Sequence, residues 1–261
     1  MSFNALNRCE DAVGSARLLV CAAFALLLAS IFAGVPPARA LDDEAREESG
    51  CIRLASYSDL PMFQAVNGPI RKLYKEAGLC VELRYVPVQR AHGMQLQGRV
   101  HGQVGRSDAW LKDYGGDVVT LSAPIMRLDA MVAYDGKHGG RSMPATFEGR
   151  VVAHRPAIAW CSAWVKASGA VSLALQDFKD SGALLDSGRA EFVLFVSFKQ
   201  QPLPALNAGA YQFAKVDDVV IYHVLAKDKA YLVPRLDAAL ERLGGADFFH
   251  QSVMLSMKAG E

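Results

Sequence analysis

The 261 residues suffice for one large domain or two small ones, and 51% apolar with 21% charged residues is the composition of a folded chain, which excludes intrinsic disorder. A formal net charge of +1 leaves no broad basic surface for phosphate neutralisation, so nucleic acid is excluded as a partner and recognition by charge has to be local. His92, His101, His138, His154, His223 and His250 are scattered without a second His or Cys at ligand spacing, and no G-x-S-x-G, H-E-x-x-H or G-x-x-x-x-G-K-[ST] motif occurs. Neither a metal nor a cofactor is called for.

Residues 1–40 are expected to be a secretory signal peptide. Arg8 and Arg17 precede an apolar run from Leu18 to Gly34, Pro36 and Pro37 break its helix, and Ala38-x-Ala40 is a small-x-small cleavage site. Leu41 then becomes the first mature residue, the mature net charge is zero, and the chain is exported to the periplasm. A retained anchor helix is the alternative, though the run is short for a membrane span. Lipidation at Cys21 is disfavoured by the bulky Val20 before it.

Residues 41–51 lack periodicity and read as a solvated terminus. "IRLASYS" from Ile52 is an alternating strand. "NGPIRKLYKEAG" is a helix with Asn67 as its expected cap and Gly78 as its stop. "VELRYVPV" is a strand and "QRAHGMQLQG" a short helix ended by Gly98. "HGQVGR" is a brief third strand or turn. Short connections make this β-α-β-α-β run a right-handed parallel unit. Cys51 and Cys80 directly precede its first two strands. In parallel neighbours of matching register they stand side by side, within disulfide reach. Two buried thiols are the alternative. Cys161, in "AIAWCSAW", reads as a core thiol.

"DVVTLSAP" and "LDAMVAYDG" continue as β-type runs, and "KHGGRSMPATFEG" reads as a linker or hinge. A second α/β block follows: strand "RVVAH", helix "PAIAWCSAWVKASG", strand "AVSLALQ", helix "DFKDSGALLDSG" and buried strand "AEFVLFVSF". "KQQPLPALNAGAYQF" reads as irregular and "VVIYHVLA" as a strand. "DKAYLVPRLDAALERLGG" has Leu232, Leu236, Ala239, Leu240 and Leu243 at the spacing of a helix laid on a core, and "ADFFHQSVMLSM" is a last, shorter helix.

This order of pieces resembles the type II periplasmic solute-binding proteins, the family of the amino-acid-binding receptors of ABC importers, from Ile52 to about Val253. The matching segments are "IRLASYSDLPMF", "YVPVQRAHGMQLQGRVHGQVGR", "VVTLSAPIMRLDAMVAY", "FEGRVVA" and "IYHVLAKDKAYLVPRLDAALERL". The resemblance implies an α/β fold of two lobes, each a mainly parallel sheet flanked by helices. Residues 52–134 and 222–261 would form lobe 1, and residues 135–221, with the hinge segments, lobe 2.

In that family an arginine after a "vDG" turn pairs with the carboxylate of the ligand, and Arg106 takes its place, presenting a planar cation suited to that partner. A surface Arg106 bridged to Asp108 is the alternative. Arg90 matches an arginine near the start of the family's second helix. Tyr57 stands where the family places an aromatic platform, Trp110 is a second candidate cleft aromatic, and Ser58 and Ser122 are candidate donors. His154 and Arg155, where a lobe-two strand gives way to a helix, could meet an anionic group.

Two departures matter. His101 replaces the acid of "vDG", and Val196 and Ser197 stand where amino-acid receptors carry the aspartate that holds the ligand ammonium. The expected ligand is therefore a small solute, an organic acid or an amino acid, bound without chemistry and delivered to a transporter permease. An accessory or sensor protein serving another exported protein is a second reading. A dehydratase or lyase on the same scaffold is a third. It would need a general acid or base, for which Glu82, Asp108 and His154 are conceivable but lack an adjacent catalytic partner.

Overall fold

The computed structural model of the protein describes residues 50–58, 60–136 and 143–258. The expected signal peptide, most of the expected mature terminus and residues 137–142 of the expected hinge lie outside the described residues. Among the described residues no helix is long and apolar enough to cross a membrane.

The first block folds as β1 (Ile52–Tyr57), the short α1 (Pro61–Gln64), α2 (Asn67–Glu76), β2 (Val81–Val86), α3 (Val88–Leu96), β3 (Gly102–Ser107) and α4 (Asp108–Tyr114). β4 (Val118–Thr120) and β5 (Met126–Asp135) lead to the second block, made of β6 (Val151–His154), α5 (Ala159–Ala167), β7 (Val171–Ala174), α6 (Ser181–Asp186) and β8 (Phe192–Ser197). The chain closes with β9 (Tyr211–Ala226), α7 (Val233–Leu243) and α8 (Ala246–Lys258).

The strands make one sheet in the order β2-β1-β3-β9-β5-β8-β6-β7, with β4 also on β9. β1 is parallel to β2 and β3, and β6 is parallel to β7 and β8. β5 and β9 run antiparallel to each other and join the two parallel halves, β9 through β3 and β5 through β8. In each half the chain moves to one side of its first strand and then to the other. Each half therefore has a switch point, and a crevice opens beyond the carboxyl ends of the strands there. Tyr57 and Ser107 end β1 and β3 at the first such point, and His154 and Ser197 end β6 and β8 at the second.

β1 and β2 pair Ile52 with Val81, which sets Cys51 beside Cys80, and the two are joined by a disulfide. Cys161 is fully buried on α5, and burial pushes its thiol pKa up to about 12. α2 turns Ile70, Leu73 and Tyr74 into the core, and α7 turns in Leu236, Ala239 and Leu240. Outside that apolar seam Arg242 Nε donates to Glu76 Oε1 at 2.8 Å.

Several expectations change. Of the two alternatives for "HGQVGR", strand or turn, the strand holds: the turn falls at Gln97 and Gly98, and β3 is buried along nearly its whole length. Its glycines serve close packing. A Cβ at Gly102 would stand 2.5 Å from the Val224 carbonyl oxygen, and one at Gly105 2.8 Å from Ile221 Cγ2. Asn67 is not a helix cap. It lies inside α2, buried, and accepts a hydrogen bond from the Ser56 hydroxyl at 2.8 Å. β9 begins at Tyr211 rather than Val219, because "YQFAKVDD" pairs with Asp129–Asp135 of β5. "DAWLKDY" is a helix that the apolar pattern alone does not mark. It starts where the Ser107 side chain accepts from the Trp110 amide at 3.2 Å, an N-cap.

Candidate functional site

A cavity of about 1300 Å3 opens at the carboxyl ends of the strands of both halves. Tyr57, Ser58, Arg106, Ser107 and Trp110 line it from the first block, and Arg155, Trp160, Asp177, Phe178, Lys179 and Ser197 from the second. Among the described lining residues the charges are three cations, Arg106, Arg155 and Lys179, against the single carboxylate of Asp177.

Arg106 reaches the cavity through an irregularity in its strand. β3 pairs Gln103 with Val224 and Arg106 with Tyr222, so one residue bulges between them. Residues three apart in a regular strand point to opposite faces, and a bulge cancels that half-step. Gln103 and Arg106 thus share a face, and Arg106 Nε donates to Gln103 Oε1 at 2.6 Å. Nη2 donates to the Val88 carbonyl at 2.9 Å. The guanidinium lies over two rings, 5.0 Å from the Tyr57 centroid and 4.7 Å from that of Trp110. Arg106 is 7% exposed, and it forms no ion pair, with Asp108 or any other carboxylate, among the described residues. Nη1 has no partner there either.

A buried polar chain fixes this arrangement. Gln103 Nε2 donates to Gln95 Oε1 at 2.5 Å, and the Tyr57 hydroxyl donates to the Gly105 carbonyl at 2.6 Å, with Gln103 Oε1 at 3.2 Å. Trp110 stacks on Tyr114, their centroids 5.0 Å apart, and His92 packs edge-on against Trp110. Burial holds the His92 pKa below the usual imidazole range, and the Arg106 charge adds to this while Asp117 opposes it. On the far wall Arg155 lies over the Phe178 ring at 5.9 Å. Asp177 accepts from the Lys179 amide at 3.0 Å and pairs with Lys179 Nζ at 3.3 Å.

Five of the eight candidate ligand contacts therefore stand together on the cavity: Tyr57, Ser58, Arg106, Trp110 and Arg155. Three are placed elsewhere. Arg90 is exposed on α3, outside the lining. Ser122 is tied to α7, its amide and hydroxyl donating to the Asp237 carboxylate at 3.0 and 2.5 Å. His154 is buried against β7, with Nε2 2.9 Å from the Ser172 hydroxyl, and burial lowers its pKa. His101 sits at the opposite, amino end of β3, where its Nδ1 accepts the Arg53 amide at 3.1 Å. Sequence reasoning missed Gln103, Gln95, Asp177 and Lys179. Two neutral glutamines carry no charge signal, but "QDFKD" at a strand end was a readable polar turn.

No described protein family matches the chain, and no curated protein matches it in sequence. Solved structures do match in fold. A double mutant of the BvgS VFT2 domain from Bordetella pertussis has a TM-score of 0.64 at 13% identity, over 85% of this chain and 99% of that domain. A mutant ArgBP from T. maritima has the same score and identity over 83% and 99%. A His/Glu/Gln/Arg/opine family-binding protein from Silicibacter pomeroyi, in complex with lysine, scores 0.62 at 17% identity over 78% and 95%. The fold is that of a type II periplasmic solute-binding protein. In this two-lobe fold each parallel half forms the core of a lobe, and the cavity lies between them.

Proposed function

We propose that the protein is an exported solute-binding protein whose two lobes close on a small carboxylate-bearing solute and hand it to an ABC-type transporter. Lobe 1 comprises residues 52–134 and 222–261 and lobe 2 residues 135–221, with β5 and β9 passing between them. The observation that carries the reading is Arg106: a buried guanidinium whose Nε and Nη2 are held by neutral acceptors while Nη1 meets no described residue. A cation buried without a counter-charge is costly, and an arriving carboxylate relieves that cost through charge-assisted bonds. Tyr57, Ser58 and Trp110 complete the lobe-1 wall, and Arg155 faces the solute from lobe 2.

The fold supports binding rather than chemistry. Glu82, Asp108 and His154, the conceivable acid–base groups, are not part of the lining. The disulfide and the expected signal peptide support export, and solved proteins of this fold include an amino acid ABC transporter substrate-binding protein from Streptococcus pneumoniae, bound to L-arginine.

The test is a thermal-shift screen of small carboxylates and amino acids. A bound solute at 100 times its Kd adds about 2.7 kcal/mol of stability and raises Tm. Arg106→Ala is expected to abolish that rise. An equal rise in the variant would remove Arg106 from the site.

A further inference from the structure

Resting on the carboxylate reading above, we infer that Gln103 is the positioning residue of the anion site: it aims Arg106 and, being neutral, leaves the guanidinium charge to the solute. Two nitrogens of Arg106 are anchored. Nε donates to Gln103 Oε1 at 2.6 Å and Nη2 to the Val88 carbonyl at 2.9 Å. Two bonds to a rigid planar fork fix its rotation as well as its position. The Val88 bond alone would let the fork swing about Nη2, and the Gln103 bond stops it. The rings of Tyr57 and Trp110 pack 5.0 and 4.7 Å from the guanidinium but give it no acceptor, so they do not set that rotation.

Gln103 is itself held. It is fully buried, and its Nε2 donates to Gln95 Oε1 at 2.5 Å, which turns Oε1 toward Arg106. The reversed amide would set its own N–H against the Nε proton, donor against donor. The neutrality of this acceptor has a second consequence. A carboxylate in the same place would form a charge-assisted pair with Arg106 and supply the counter-charge that an acid solute would bring. An amide supplies the hydrogen bond without the charge. The two properties separate by substitution. Gln103→Leu stays neutral but deletes the acceptor, whereas Gln103→Glu keeps the acceptor and adds the charge. Gln95 Nε2 is buried without a partner among the described residues. In Gln103→Glu the Gln95 amide can therefore turn over and donate to the new carboxylate.

The experiment follows the Arg106 Nε–H resonance by heteronuclear NMR, assigned by its loss in Arg106→Lys, while acetate replaces chloride at constant ionic strength. Acetate probes the carboxylate subsite whatever the rest of the solute is. In the wild type the Nε proton is expected to exchange with solvent about tenfold more slowly than that of Arg90, which is exposed. Gln103→Leu should remove this protection, and Gln103→Glu should keep it. Acetate should bind the wild type at millimolar concentration and both variants about tenfold more weakly. Arg106 is no longer aimed in the first variant, and its charge is already met in the second. Unchanged protection in Gln103→Leu would overturn the inference, and so would wild-type acetate affinity in Gln103→Glu, while the carboxylate reading would stand. A wild-type Arg106 resonance that acetate does not move at up to about 0.1 M would overturn the carboxylate reading and the inference with it. Should Gln103→Leu not fold, Gln103→Glu decides alone, since it retains the bond to Nε and changes the charge.

Discussion

His223 and Tyr74 show at single-residue scale how this core treats polar groups. His223 Nδ1 faces the Val104 carbonyl at 3.4 Å, an acceptor only, so Nδ1 carries the proton and Nε2 accepts from the Tyr74 hydroxyl at 2.9 Å. The ring is therefore neutral, and burial pulls its pKa from 6.5 down to about 4, against the Val104 and Gln103 carbonyls, which favour the cation. Between those two values the unfolded chain takes up a proton that the folded chain refuses. The associated stability is complete above pH 6.5 and is lost as pH falls toward 4. The loss amounts to about 3 kcal/mol, and His92, His101 and His154, also lowered mainly by burial, act in the same direction. Urea unfolding at pH 7 and pH 4.5 should show this fall, and His223→Gln should flatten it. A wild-type stability that does not change over that range would contradict a neutral buried His223. Arg106 was legible in the sequence because a charged side chain ending a glycine-rich strand stands out. The glutamine that aims it was not legible, because the bulge bringing Gln103 onto the same face depends on pairing with β9, far along the chain.

At the scale of elements, the two ends of a parallel strand do different work. The Cys51–Cys80 disulfide lies before the first residues of β1 and β2, while the cavity opens at their carboxyl ends. Stability and binding should therefore separate. The bridge closes a loop with a sequence separation of 29. Restricting the unfolded chain over a loop of that length contributes roughly 3–4 kcal/mol. A Cys51→Ser/Cys80→Ser variant should lose about that much in denaturant unfolding, while its solute affinity, measured where it is still folded, stays within about twofold of wild type, a difference of less than 0.5 kcal/mol. A larger loss of affinity would mean that the bridge shapes the cavity. The pairing was legible because both cysteines precede alternating runs, and parallel register does the rest. β9 was legible only in its apolar half. Its polar residues up to Asp218 gain their place from β5, with Lys215 bridging Asp129 at 2.6 Å, a long-range partner that no local pattern shows. α4 hid for a different reason: seven residues carry too little periodicity, and only the Ser107 cap announces it.

For the whole molecule, the cavity is wider than its proposed guest. About 1300 Å3 exceeds the roughly 300–1000 Å3 of pockets that bury most of a small ligand. A solute held by Arg106 alone would leave the lobe-2 wall unused, so tight binding requires the lobes to approach. Two passages of chain with long antiparallel pairing, β5 and β9, link the lobes, and their pairing shifts register between Ala130 and Met131 on β5, opposite Asp217 and Lys215 on β9. A bulge bends and twists a strand pair without breaking it, which makes this the natural pivot. A solute drives closure only through contacts that exist in the closed form and not in the open one. Arg155 and Lys179, on the wall opposite Arg106, are the charged groups that supply such contacts. Small-angle scattering should therefore show a smaller radius of gyration when the wild-type protein is saturated with an acid that binds it. Arg106→Ala should keep the larger radius at the same concentration because it does not load. Arg155→Ala combined with Lys179→Ala should still load at higher concentration, through Arg106, but should close less completely. A radius unchanged on saturation of the wild type would mean that the lobes do not act as a clamp, and the excess volume would then have to be filled by the solute itself.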